Sequence, residues 1–244
     1  RIMKKMILAL TALLFTGSAA VKAQVETRTV VRSTILGGKK GEIVNIDNAK
    51  YRITYEAKWV NNTSIKPFIY TDSEMRLDIG EKVTNFYDRT KQVRDSLMQE
   101  KVKTGNFDFS DLPKGGRFPF SYYKNYPTAG KSIQLESVGT TDYQCTENVE
   151  TPDWQLIPDS TADIIGYHCQ LAKTQFKGRT WFAWYAEDVP LQEGPWKLIG
   201  LPGLILKAYD ENKEYTFTAV GMSTLKTPSP ITISKSKREE ISQK

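Results

Sequence analysis

The single histidine of this 244-residue chain limits the nucleophilic chemistry available to it. A Ser-His-Asp or Cys-His arrangement needs the imidazole within hydrogen-bonding distance of the nucleophile. His168 lies beside Cys169, but the alternating pattern of residues 164–176 predicts a strand on which the two side chains point to opposite faces. The sequence also lacks the G-x-S-x-G, H-E-x-x-H and P-loop motifs. It therefore predicts no catalytic residues of this kind.

Carboxylates offer a second kind of chemistry. Glu187, Asp188 and Glu193 lie close together in sequence, and a glycosidase needs only two carboxyl groups about 5 to 10 Å apart. Acidic residues in a connection flanked by proline and glycine are commonly solvated, so a carboxylate-dependent hydrolase is an alternative hypothesis. No metal site is predicted, because a structural zinc ion needs four ligands and the chain has one histidine and two cysteines. The glycines of residues 37–41 lack the spacing of a phosphate-binding loop, and no cofactor is predicted.

Residues 1–23 have the three-part pattern of a secretory signal peptide. Two lysines precede the apolar run Met6–Phe15, and small residues occupy the positions that a signal peptidase recognises before Gln24. The apolar run is about half of the roughly 20 residues that a membrane-spanning helix needs, so a transmembrane protein is not predicted. The sequence therefore predicts an exported protein, periplasmic or extracellular.

Removal of the signal peptide changes the charge of the chain. It takes away four basic residues and no acidic ones, which leaves 30 basic against 28 acidic residues and lowers the formal charge from +6 to +2. Nucleic-acid binding is not predicted, because it needs a clustered basic face. In an oxidising compartment, the even number of cysteines favours a disulfide between Cys145 and Cys169. Two separate buried thiols are the alternative, since spacing does not show whether the Cβ atoms meet.

Alternation of apolar and polar residues predicts strands through most of the chain. In Tyr51–Trp59 every second residue is apolar, which is typical of a half-buried antiparallel strand. Tyr215–Ala219 repeats the pattern, and Val25–Leu36 follows it less cleanly. Thr180–Ala186 is apolar on both faces, as in a central strand.

One segment has helical spacing instead. Tyr87–Lys103 carries Val93, Leu97, Met98 and Val102 at near-helical spacing, and Asp88 is a suitable N-cap. We expect one amphipathic helix packed on the sheet. Residues 24–225 are predicted to form a single β-rich domain, followed by a polar, frayed tail over residues 226–244.

The stretch Gly194–Asp210 (GPWKLIGLPGLILKAYD) contains nine consecutive residues without a polar side chain. Pro202 and Gly203 predict a type II turn with Gly203 at positive φ, inside a buried structural corner. The predicted structural motif comprises Gly194, Pro195, Trp196, Gly200, Leu201, Pro202, Gly203, Leu204 and Ile205. The side chains predicted to be buried are Leu198, Ile199, Leu201, Leu204, Ile205 and Leu206. The alternative is a surface tip that contacts a membrane, a ligand or a partner.

The residues Gly200–Leu206 (GLPGLIL) resemble the signature of the GLPGLI family of exported bacterial proteins, and the similarity extends over Gly166–Asp210. The resemblance implies an exported, mainly β protein, often in the neighbourhood of TonB-dependent outer-membrane receptors. A similar bowl-shaped domain is found at the amino end of some secreted peptide-N-glycosidases, as an accessory part. The family has no established catalytic residues, so none are carried over. Many relatives continue beyond residues 237–240 (KREE), so truncation near Lys244 is expected.

These observations predict a mainly β (β-rich α+β) fold, in which a curved antiparallel sheet, or a half-open bowl or barrel, carries one packed helix. The leading hypothesis for function is a non-catalytic binding or accessory domain of the cell envelope, linked to an outer-membrane transport protein. The second is a periplasmic carrier of an apolar ligand or lipid, which requires an unfilled apolar concavity. The binding residues are unknown, although the aromatic, proline-rich segment Asp111–Pro127 either lines a cleft or folds over the core edge.

Overall fold

The computed structural model describes residues 41–116, 118–139 and 141–242. These residues form twelve strands and one helix, α1 (Arg89–Thr104). The strands are β1 (Ile43–Val60), β2 (Tyr70–Ile79), β3 (Thr84–Asp88), β4 (Phe120–Lys124), β5 (Lys131–Val138), β6 (Thr141–Asn148), β7 (Gln155–Ile164), β8 (Tyr167–Phe176), β9 (Arg179–Ala186), β10 (Leu204–Asp210), β11 (Tyr215–Ser234) and β12 (Glu239–Ile241). The signal peptide and the strand predicted over Val25–Leu36 lie outside the described residues and stay predictions.

All twelve strands belong to one sheet, in the order β12, β6, β5, β4, β3, β2, β1, β11, β10, β9, β8, β7. Every neighbouring pair is antiparallel except β12 and β6, which are parallel. Most consecutive strands pair with each other, while helix α1 lies between β3 and β4 and residues 187–203 lie between β9 and β10. The mainly β fold with a curved antiparallel sheet is thus confirmed.

The inner face of the sheet carries the main hydrophobic core. The alternation predicted in β1 is confirmed, since Ile53, Tyr55, Ala57 and Trp59 are all buried. Aromatic rings from other segments meet these residues edge to face, as Phe118 does with Trp59 at 5.2 Å between ring centroids.

A smaller core lies on the outer face. The first part of β1 and the last part of β11 pair beyond the end of β2 and pack back over β4 and β5. Ile231 and Ile233 are buried there against Tyr123 and Ile133, and the Tyr123 hydroxyl donates to the carbonyl of Thr232 at 2.9 Å. The tail predicted to be frayed from residue 226 is therefore ordered as strand to Ser234, because these two isoleucines alternate with polar residues and cover a second core.

Helix α1 begins where the sequence predicts. A carboxylate oxygen of Asp88 accepts a hydrogen bond from the Lys91 amide at 2.8 Å, and Gly105 ends the helix at φ 75°. The same carboxylate accepts from the Ser73 hydroxyl and from the Phe118 amide, at 2.6 and 3.0 Å. Asp88 therefore fixes the helix, β2 and the segment before β4 together. No helix in the described ranges is long and apolar enough to cross a bilayer.

The predicted disulfide is contradicted by the structure. Cys145 lies on β6 and Cys169 on β8, near opposite ends of the strand order, and both are buried free thiols. Hydrophobic burial, the alternative considered above, accounts for both cysteines. Cys169 is fully buried and His168 is exposed, so the two side chains do lie on opposite faces of the strand.

We expect both thiols to be unreactive in the folded protein and to titrate as two thiols after unfolding. Burial raises the pKa of Cys169 to about 11, so the reactive thiolate is scarce at pH 8. A thiol-disulfide exchange reagent, applied with and without denaturant to protein purified without reductant, measures this. Protein that shows no free thiol after unfolding would contradict the assignment.

Candidate functional site

The segment between β9 and β10, residues 187–203, is the motif loop. Leu198, Leu201, Leu204, Ile205 and Leu206 are at most 1% exposed, and Ile199 is 7% exposed. At about 1.5 to 3 kcal/mol for each buried large apolar side chain, these residues dominate the local stability. The loop and the start of β10 thus form a buried corner, as the sequence analysis expected, and not a surface tip.

The predicted conformation of Gly203 is wrong. Gly203 does not adopt a positive φ, whereas Gly200 does, at 91°. Gly203 is required for a different reason, because a Cβ atom there would collide with the backbone carbonyl of Ala186. Trp196 also has a positive φ, of 56°, which is rare for an aromatic residue. The loop is held in this geometry by its contacts and not by a turn type alone.

Two ion pairs connect the motif loop to strands on the far side of the sheet. Lys197, whose side chain is 3% exposed, pairs with Glu147 on β6, and Glu193 pairs with Lys124 on β4. The hydroxyl of Thr84 on β3 also donates to Glu193, at 3.2 Å. The sheet must therefore curve enough to bring β4 and β6 against a loop that follows β9.

The acids considered for hydrolysis do not form a catalytic pair. Glu193 is engaged by its lysine and threonine partners. Glu187 and Asp188 are exposed at the start of the loop, where Glu187 accepts a hydrogen bond from Tyr185 at 3.4 Å. His168 lies 3.3 Å from Asp163 on an exposed hairpin, far in sequence from these acids. In the described part of the chain, no group of three or more histidine, cysteine or acidic residues is placed to hold a metal ion.

An aromatic pocket lies beside the motif loop and is the candidate binding site. It is a half-open cavity of about 160 Å³. Its lining comprises Phe118, Phe120, Lys177, Arg179, Trp181, Trp196, Tyr215 and Phe217. β9 and β11 supply one wall, the segment Phe118–Phe120 supplies the opposite wall, and Trp196 comes from the motif loop.

The rings of the aromatic pocket are arranged around an open space. The ring centroids of Trp181 and Trp196 are 5.7 Å apart at an interplanar angle of 45°, and Phe120 lies 6.3 Å from Trp196. The indole N–H groups of both tryptophans are buried without a hydrogen-bond partner. A buried donor without a partner is costly, so these two groups indicate a water molecule or a ligand in this region.

Charged side chains line the rim of the aromatic pocket, and each cation is already paired. Arg179 donates to Asp210 at 2.9 Å and to Glu214 at 2.5 Å, and its guanidinium lies 4.9 Å from the Tyr215 ring. Burial lowers the pKa of Arg179, but the hydrogen bond to Glu214 and the charge of Asp210 outweigh burial and raise it. Lys177 pairs with Glu150 at 2.8 Å. Burial likewise lowers the pKa of Lys177, and the bond to Glu150 more than offsets this.

The sequence analysis identifies some residues of this pocket but does not predict that they lie together. The aromatic segment Asp111–Pro127, which the sequence analysis places at a cleft or over the core edge, supplies Phe118 and Phe120, and its residues Phe120–Lys124 form β4 and not a loop. Trp196 was assigned only a structural role. Lys177 and Arg179 were missed, and the available signal was two cations around Gly178 in a turn between aromatic strands.

The fold and the candidate site define the class of this protein, which is a mainly β domain with an aromatic pocket on its curved sheet. The model of the family described as N-glycanase peptide, N-terminal domain (PNGase F-II) matches residues 119–243, which is just over half of the chain. The chain belongs to this family. No curated protein matches the sequence.

Two solved structures of PNGF-II are similar to this chain. The first, in space group P21, is 17% identical, with a TM-score of 0.48 and coverage of 81% of this chain and 32% of the other. The second, in space group C2, is 18% identical, with a TM-score of 0.44 and coverage of 72% and 28%. The chain thus spans about a third of the length of these proteins. Similarity at this level does not establish a shared fold.

Gly203→Ala is expected to destabilise the protein by about 1 to 3 kcal/mol, as overpacking does, because the new Cβ must displace the Ala186 backbone. Gly221→Ala is the matched control, since nothing lies within 4 Å of a Cβ built there. Denaturant unfolding of the two variants measures the difference. Equal midpoints for both variants would refute close packing at Gly203.

Lys197→Ala is expected to cost about 3 to 5 kcal/mol of folding free energy, because it removes one partner of a buried ion pair. The control is Lys50→Ala, which removes an exposed pair with Glu81 and should cost about 0 to 1 kcal/mol. Thermal unfolding compares them. A Lys197→Ala variant as stable as the control would show that the pair does not hold the loop.

Proposed function

We propose that this chain is a non-catalytic accessory domain of an exported protein, and that its aromatic pocket binds a sugar ring of a glycan. The observation that carries the proposal is the pocket itself, an open space of about 160 Å³ between aromatic rings with charged side chains at its rim. The family, which is named after an N-glycanase, supports a role in glycan recognition.

The chemistry of a sugar ring matches this pocket. A pyranose presents C–H groups on its faces, which pack on aromatic rings, and hydroxyl groups on its edge. The hydroxyl groups can bond with the polar side chains of Lys177 and Arg179, which line the pocket and are held there by Glu150 and Glu214. A ligand of this type therefore matches both the apolar rings and the polar rim of the pocket.

The size of the cavity favours one ring over a larger molecule. Pockets for drug-sized ligands have volumes of about 300 to 1,000 Å³, whereas the aromatic pocket measures about 160 Å³. The periplasmic carrier of an apolar ligand or lipid is less well supported, because a long chain needs more room and the rim carries paired charges. The carboxylate-dependent hydrolase lacks support, since Glu193 is held in an ion pair and Glu187 and Asp188 are exposed at the start of the motif loop.

The cellular context belongs to the proposal as well. Export to the periplasm or beyond rests on the signal peptide pattern of residues 1–23. Membership of the GLPGLI family rests on the motif at Gly200–Leu206, and the link to TonB-dependent receptors rests on that resemblance alone. An accessory domain in this setting holds a glycan while another domain or protein acts on it.

Phe120→Ala and Tyr215→Ala are expected to weaken glycan binding about tenfold or more, because each removes an aromatic wall worth roughly 1 to 2 kcal/mol. Both residues are half-buried, so the variants are expected to fold. The control is Phe182→Ala, which removes a ring stacked on Tyr209 at 5.4 Å outside the pocket.

A glycan array is first screened with the whole chain to find glycans that bind. Calorimetry then measures the affinity of the parent and of each variant for those glycans, and melting temperatures show whether the variants are folded. Pocket variants that bind like the control would contradict the assignment of the site. Absence of any glycan binding by the parent chain would contradict the proposed function.

A further inference from the structure

The aromatic pocket continues into a second cavity across the β8–β9 hairpin. Lys177 and Arg179 line both cavities. The second cavity, here named the polar cleft, measures about 460 Å³. Its lining comprises Gln175, Lys177, Gly178, Arg179, Thr180, Asp210, Glu211 and Asn212.

The charges around the aromatic pocket do not favour an anion. Three cations, Lys177, Arg179 and Lys197, are paired with four carboxylates. These carboxylates belong to Glu147, Glu150, Asp210 and Glu214. The group therefore has a net charge of −1, and none of the three cations lacks an acidic partner.

An anionic ligand would have to displace one of these carboxylates. Asp210 is 2% exposed at its side chain, and it also accepts a hydrogen bond from the Tyr215 amide at 2.6 Å. If Arg179 turned to a ligand carboxylate, Asp210 would be left as a buried charge without its partner, which is costly. The indole N–H groups of Trp181 and Trp196 are neutral and buried, so they supply no positive charge for an anion.

The polar cleft suits hydroxyl groups. Its described lining contains no aromatic residue, and Thr180 donates to Glu211 at 3.2 Å on an exposed surface. The amide of Asn212 and the carboxylate of Glu211 provide both donors and acceptors, which is what a hydroxyl group requires. A ring in the aromatic pocket is therefore adjacent to a polar surface on which the next sugar residues can lie.

We infer that the ligand is a neutral oligosaccharide, with one ring in the aromatic pocket and its neighbouring residues in the polar cleft, and that sugars bearing carboxylates are rejected. This inference rests on the proposed function and names its substrate class. Arg179, although positively charged, acts as a bridge between the two subsites and not as an anion receptor.

The test uses matched neutral and acidic ligands. The whole chain is titrated with cellotetraose, chitotetraose and mannotetraose, and then with the same tetramers after oxidation of their primary hydroxyls to carboxylates. At least one neutral tetramer is expected to bind, and its oxidised form to bind at least about tenfold more weakly, because a like charge near the rim costs that much even in a polar environment.

Two variants test the assignment of residues. Glu214→Gln removes one rim carboxylate and is expected to reduce the discrimination against the oxidised ligand severalfold, whereas Glu81→Gln, at an exposed site, leaves it unchanged. Asn212→Ala is expected to weaken binding of the tetramer and to leave unchanged the binding of the corresponding monosaccharide, which occupies only the aromatic pocket.

The outcomes separate this inference from the proposed function. Equal or tighter binding of the oxidised tetramers would overturn the inference and leave glycan binding intact. Failure of every neutral and oxidised tetramer to bind would overturn both. An Asn212→Ala variant with parent-like tetramer affinity would remove the polar cleft from the site.

Discussion

The ion pair between Lys197 and Glu147 determines how the two halves of this protein meet. Glu147 belongs to β6, near one end of the strand order, and Lys197 belongs to a loop that follows β9, near the other end. Burying an ammonium and a carboxylate costs several kcal/mol for each ion, and their mutual attraction offsets this cost only at contact distance. The curvature of the sheet is therefore coupled to this contact and to the second ion pair, between Lys124 and Glu193.

The same contact positions the candidate site. Trp196 precedes Lys197 in the chain and holds a positive φ of 56°, so its ring is directed by a backbone that the lysine anchors. The ammonium of Lys197 lies 5.5 Å from the Trp196 ring, within the range of a cation–π interaction. Neighbouring residues thus have different roles, since Lys197 pairs with a distant strand and Trp196 lines the aromatic pocket. A structural motif in the sequence is for this reason also the origin of a binding surface.

Sequence periodicity predicts the individual strands and the helix, but it does not predict how they assemble. The strand from Tyr51 to Trp59, the Asp88 cap and the burial of the leucines in the motif follow from local rules, because alternation, capping and apolar runs act over a few residues. Long-range geometry decided the rest. The position of Gly203 beside the Ala186 carbonyl, the separation of the two cysteines and the pairing of Lys197 with a residue 50 positions away depend on how the sheet curves. The aromatic pocket depends on the same curvature, because its residues come from distant parts of the chain and meet only in the assembled sheet.

The outermost strand, β7, is broken in the middle. Its pairing with β8 shifts register between Ile157 and Thr161, Pro158 has no amide hydrogen, and Asp159 adopts φ 58°. Among the described residues no strand pairs with the outer side of β7, and the break leaves only short stretches of regular backbone there. A long, regular edge on so wide a sheet would invite edge-to-edge pairing with another molecule, and the break at Pro158 disfavours such pairing.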